Sequence, residues 1–112
     1  MFRLVTTSLP DGRCIVITAH GELDIAAANA LTEAADAALL DTCRPNLVLD
    51  LSALTFMDSM GLHSVLACRE RARARGGDIV LVNPGAQVAR LLRITMVDRR
   101  IRTVASVHEA VG

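Results

Sequence analysis

The chain has no tryptophan, tyrosine or lysine, and Phe2 and Phe56 are its two phenylalanines. Two aromatic rings cannot build the row of stacking faces on which single-stranded nucleic acids are bound. With every basic residue an arginine, a P-loop lysine and a Schiff-base lysine are both excluded, and several enzyme classes go with them. Net charge is lacking too: twelve basic and twelve acidic residues cancel at pH 7, so no global field draws the protein to nucleic acid or to an anionic membrane. Recognition has to be local. Cysteine is scarce, and Cys14, Cys43 and Cys68 are odd in number with no close pair. That fits buried thiols in a reducing compartment better than a secreted disulfide framework. No stretch approaches the ~20 apolar residues of a membrane span, and the opening MFRLVTTSLPDG lacks the apolar core of a signal peptide. The expectation is a cytoplasmic protein that makes no membrane contact.

What is present is apolar and regularly spaced. Of 112 residues, 52% are hydrophobic, enough for one domain over residues 1–112 whose core needs neither metal nor disulfide. Residues 2–9 and 14–20 flank Pro10-Asp11-Gly12-Arg13, natural turn residues, and are predicted to pair as a β-hairpin. Gly21-Glu22-Leu23-Asp24 then reads as a break, with Asp24 capping a helix over residues 25–40 in which Ala28, Leu31, Ala35 and Leu39 recur at helical spacing. Residues 41–46, containing Pro45, connect to a buried strand at 47–51. A second helix starts near Ser59, turns Leu62, Val65, Leu66 and Cys68 inward, and stops at Gly76-Gly77. Its Arg69, Glu70, Arg71, Arg73 and Arg75 read as a solvated helix end that complements the dipole.

Residues 79–82 form a further buried strand, Asn83-Pro84-Gly85 a turn, and Val88, Leu91, Leu92 and Met96 the buried side of a third helix. Residues 101–104 add an edge strand and 106–111 a last short helix. A hairpin followed by strand–helix alternation predicts an α/β domain, a mixed sheet with its helices packed mainly on one face.

The most informative stretch is LVLDLSALTFMDSMGL at residues 47–62. It runs an inner strand into a polar turn at the mouth of a helix, so Ser59 is expected to be exposed on a rigid backbone. Taken alone, Ser59 would be an N-cap, Asp24 another cap and Asp58 a turn residue. A hydrolase with Ser59 as nucleophile and His63 as base is disfavoured, because the nucleophile-elbow pattern G-x-S-x-G is half present, with Met57 at its first position. His20, His63, His108 and the cysteines show neither CxxC nor HxxxH spacing, so no metal site is expected.

Three segments in this order, GELD at 21–24, LVLDLSALTFMDSMGL at 47–62 and GGDIVLVNP at 76–84, together resemble the STAS domain of bacterial anti-sigma-factor antagonists over nearly the whole chain. The most specific part is FMDSMGL, Phe56 to Leu62, followed after one helix by an apolar strand. The resemblance implies a STAS-type single domain that is a kinase substrate and not an enzyme. The serine after the aspartate is the family's phosphoacceptor, here Ser59. Asp58 matches the motif aspartate, Gly61 the motif glycine, and Asp24 the aspartate of the GELD-like turn beside the site. Met60 departs from the pattern, since many members carry a second serine there.

Met57, Met60 and Leu62, with Phe56 nearby, are candidates for an apolar partner contact. The resemblance further implies partner switching. Unmodified antagonist binds a cytoplasmic anti-sigma serine kinase and releases a sigma factor; phosphorylation at Ser59 ends that contact, and a serine phosphatase restores it. No cofactor and no direct contact with nucleic acid are implied, and a monomer or weak dimer is expected. The alternative keeps the fold and changes the role, to a STAS regulatory subunit of a transporter or a stress-signalling scaffold that works through protein or nucleotide contacts. Small size and the lack of an appended sensor or membrane segment favour the stand-alone antagonist.

Overall fold

Five strands in the order β1-β2-β3-β4-β5 form one mixed sheet in the computed structural model, which describes residues 2–8, 14–40, 42 and 46–111. In chain order the elements are β1 (Phe2–Ser8), β2 (Ile15–Leu23), α1 (Ile25–Leu40), β3 (Leu47–Met57), α2 (Ser59–Ala74), β4 (Ile79–Val82), α3 (Ala86–Ile94), a 3-10 turn (Val97–Arg99), β5 (Arg102–Val104) and α4 (Val107–Val111). β1 pairs antiparallel with β2, and every later pair is parallel. The hairpin and the mixed sheet are therefore as expected, while the proposed turn at residues 10–13 lies outside the described residues.

Because the sheet grows in one direction from β2 to β5, right-handed crossovers place α1, α2 and α3 on the same face. That face carries the main core. Ile15, Ile17 and Ala19 of β2, Leu47, Leu49 and Leu51 of β3, and Ile79 and Leu81 of β4 alternate toward it and meet Leu31, Ala35, Val65, Cys68, Val88 and Leu92 from the helices. The opposite face holds a small cluster, Cys14, Val16, Val48 and Val82, under Val107, Ala110 and Val111 of α4. Cys14 and Cys68 are buried thiols, as read from the sequence; Cys43 lies outside the described residues.

Three expectations need correction. β2 does not stop at Gly21; it continues to Leu23, because Gly21 takes a positive φ of 97° that kinks the strand while pairing shifts register around it. β3 runs not to Leu51 but eleven residues to Met57, its far half paired with β2 as its one strand neighbour beyond the point where β4 ends opposite Asp50. Met96 does not bury on α3: it sits past the helix end in a left-handed conformation, φ 63°, with its side chain exposed.

The arginines of α2 are also more than a solvated end. Arg71 Nε reaches Asp36 Oδ1 of α1 at 2.7 Å, and Arg73 Nη1 reaches Asp78 Oδ2 at 3.2 Å. Arg69 Nε lies 3.6 Å from Asp78 Oδ1, an ion-pair distance that makes no hydrogen bond.

Candidate functional site

The parallel strands β2 and β3 end together, with Leu23 opposite Met57. The chain therefore leaves the sheet twice at the same place, and each exit is an aspartate that starts a helix. Asp24 Oδ1 accepts from the Ala27 N–H at 3.1 Å, and the Asp24 carbonyl accepts from Ala28 at 3.0 Å, opening α1. Asp58 is extended, φ −103° and ψ −174°; its Oδ1 accepts from the Gly61 N–H at 2.8 Å and its carbonyl from Leu62 at 2.9 Å, opening α2. Asp58 is thus the N-cap and Ser59 the first helical residue, which corrects the reading of Ser59 as cap and Asp58 as plain turn residue. A residue at the first helical position has its side chain free of capping duty.

Ser59 is exposed, and among the described residues its hydroxyl has no hydrogen-bond partner, His63 included. Its main chain is fixed from both sides. The Asp58 N–H donates to the Leu23 carbonyl at 3.3 Å, and Gly61 packs so closely on Leu23 that any Cβ would overlap that carbonyl oxygen. Gly61 therefore lets α2 start flush against the end of β2. One turn on, the buried Ser64 hydroxyl donates to the Gly61 carbonyl at 2.6 Å. The dipole of α2 points its positive end at the Ser59 side chain, which suits an anion placed there.

Asp24, Asp58, Ser59 and Gly61 are brought into one corner. The three apolar candidates divide. Met60 is 44% exposed beside Ser59, whereas Met57 at 0% and Leu62 at 6% belong to the core. Met57 ends a strand on the face that α3 covers, and Leu62 begins the inward stripe of α2, so neither reaches a partner surface. Phe56, 40% exposed, and Ile25, 68% exposed, are the other large apolar side chains left open near the corner. Ile25 escaped the sequence reading: three residues before Ala28, it continues the helical spacing of the Ala28-Leu31-Ala35 stripe, so nothing local marks it as exposed.

Gln87 was missed altogether. Its Oε1 accepts from the Met57 N–H at 2.9 Å and its Nε2 donates to the Met57 carbonyl at 2.8 Å, tying α3 to the residue before Asp58. Nothing in local sequence marks a glutamine for a contact thirty residues away.

Among the described residues no three His, Cys, Asp or Glu side chains converge as metal ligands. No helix among them is long and apolar enough to cross a membrane.

Comparison with known proteins agrees with this architecture. A family model described as STAS domain matches residues 9–110. The chain is 29% identical over 107 residues to the anti-sigma-F factor antagonist RsfB of Mycobacterium tuberculosis, covering 95% of this chain and 86% of that one. The crystal structure of an anti-sigma factor antagonist from Mycobacterium paratuberculosis superposes with a TM-score of 0.85 at 27% identity, over 98% of this chain and 91% of that one. A sulfate transporter family protein from Wolinella succinogenes superposes with a TM-score of 0.78 at 16% identity, over 94% and 86%, a likeness of fold alone.

Proposed function

The chain belongs to the STAS domain family, and from that premise we propose that it is an anti-sigma-factor antagonist switched by phosphorylation of Ser59. Similarity to RsfB and to the mycobacterial antagonist structure supports the antagonist role over that of a transporter subunit. The observation that carries the switch is an exposed serine hydroxyl with no hydrogen bond among the described residues, on a backbone pinned by Asp58, Leu23 and Gly61. In the unmodified state Ile25, Phe56 and Met60 offer the exposed apolar contact for a cytoplasmic anti-sigma serine kinase, and that docking frees the sigma factor.

Transfer of the ATP γ-phosphoryl group to Ser59 Oγ, with loss of the hydroxyl proton and release of ADP, brings about −1.5 to −2 charges into that contact. Two carboxylates, Asp24 and Asp58, already stand at the same corner. A partner surface complementary to neutral serine then meets repulsion and a desolvation cost, while the α2 dipole favours the anion by roughly 0.3–1 kcal/mol. Contact is lost and the fold is kept. A serine phosphatase resets the cycle by hydrolysing the ester.

The test is incubation with ATP and the anti-sigma-type kinase of the same organism, followed by intact-mass and peptide mass spectrometry. One phosphate, on Ser59, is expected, and none on Ser59→Ala; a label on another residue, or equal labelling of Ser59→Ala, rejects the assignment.

A further inference from the structure

We propose that Gln87 is a positioning residue for the switch, holding the phosphoacceptor turn from α3 in place of a missing strand. β4 ends at Val82, opposite Asp50, yet β3 continues to Met57. Beyond Asp50 the β3 main-chain groups that face away from β2 have no neighbouring strand. At Met57 a side chain supplies one. The primary amide of Gln87 has the same donor–acceptor pair as a peptide group, and it engages both the Met57 N–H, at 2.9 Å, and the Met57 carbonyl, at 2.8 Å. This reproduces the two bonds of a strand pair with one side chain.

Met57 is also paired with Leu23 across β2–β3, and the next residue, Asp58, is bound through its own N–H to the Leu23 carbonyl. The segment before Ser59 is consequently clamped between β2 and α3, and Gln87 is the α3 half of the clamp. Its side-chain hydrogen bonds go to Met57 and not to Ser59, Ile25, Phe56 or Met60, so its effect on phosphoryl transfer passes through the geometry of the turn. An acceptor hydroxyl has to stay in a narrow range of positions for in-line attack, and a loosened turn spreads it over many. Docking, which uses the outer side chains, is left largely intact.

This inference rests on the phosphorylation of Ser59 proposed above, so the experiment has an arm independent of any kinase. Gln87→Met keeps the chain length and removes both hydrogen bonds; Val88→Ala weakens the burial of α3 and leaves Gln87 in place, since Val88 is a core residue. Native-state amide exchange, followed by NMR, is expected to show the Met57 amide at least tenfold faster in Gln87→Met than in Val88→Ala of matched thermal stability. With the kinase that labels the wild type, Gln87→Met is expected to lose about tenfold in kcat with KM within twofold, and Val88→Ala to lose neither. Unchanged exchange at Met57, or equal kcat losses in the two variants, overturns the role of Gln87. If the wild type itself is not labelled, the phosphorylation reading fails on its own, and the exchange arm still decides whether Gln87 holds the turn.

Discussion

Ser59 and Gly61 make opposite demands two residues apart: one side chain has to be free and the other has to be absent. Because a Cβ at 61 would overlap the Leu23 carbonyl, Gly61→Ala has to push α2 away from β2, and a loss of about 1–3 kcal/mol is expected in urea unfolding. An unchanged midpoint would show that the helix start can shift without cost. Asp58→Ala removes the cap bond to Gly61 and is expected to cost about 1 kcal/mol by the same assay. Cys68 makes a pH-dependent claim. Burial pushes its thiol from an ordinary 9.0 up to about 12, with Arg71 opposing and Asp36 adding to the shift. The folded state therefore keeps a proton that the unfolded chain gives up. Stability from the neutral thiol is whole below about 9 and is lost progressively as pH rises toward 12. Cys68→Ala is expected to flatten the alkaline fall of a pH–stability profile in that window; a fall of equal slope in the variant would assign it elsewhere.

At the scale of elements, α1 and α2 approach through small side chains, with Ala35 and Ala72 both fully buried, and Arg71–Asp36 ties the pair at the rim. Ala72→Leu is expected to overpack this seam and lower stability by about 1–3 kcal/mol, read from chemical denaturation, whereas Ala74→Leu at an exposed site is expected to stay within about 0.5 kcal/mol. Most of this architecture was legible in the sequence, because Ala28, Leu31, Ala35 and Leu39 of α1 and Leu62, Val65 and Cys68 of α2 recur at helical spacing, because β4 is a short unbroken apolar run, and because Asp24 marks the start of α1. Legibility failed where a long-range contact overrides the local signal. Gly21 reads as a strand breaker, yet pairing with β1 and β3 carries the strand through it. The sequence reading ends β3 at Leu51, yet β2 on one side and Gln87 at the far end keep Ser52 to Met57 extended. At the site, the FMDSMGL motif marked Ser59, Asp58 and Gly61, but it could not separate Met60 from Met57 and Leu62, since equal hydrophobicity does not say which side of a helix mouth faces the core.

For the whole molecule, these features divide the labour between a scaffold and one corner. The sheet, with three helices over one face, fixes two adjacent helix starts, and the chemistry proposed for the protein is confined to a hydroxyl at one of them. A charge added there has little to break internally, because among the described residues the Ser59 hydroxyl makes no hydrogen bond, and it lies at the favourable end of a helix dipole. In the proposed switch its consequences fall on the partner that docks against Ile25, Phe56 and Met60. The most direct measurement compares wild type with protein carrying phosphoserine installed at position 59, by isothermal titration against the anti-sigma-type kinase and by thermal unfolding of each form. At least a tenfold weaker affinity is expected for the phosphoserine form, with a Tm within about 3 °C of wild type, a shift that corresponds to under 1 kcal/mol for a domain of this size. Equal affinity of the two forms, or a phosphoserine form that fails to fold, would contradict a switch that acts by docking alone.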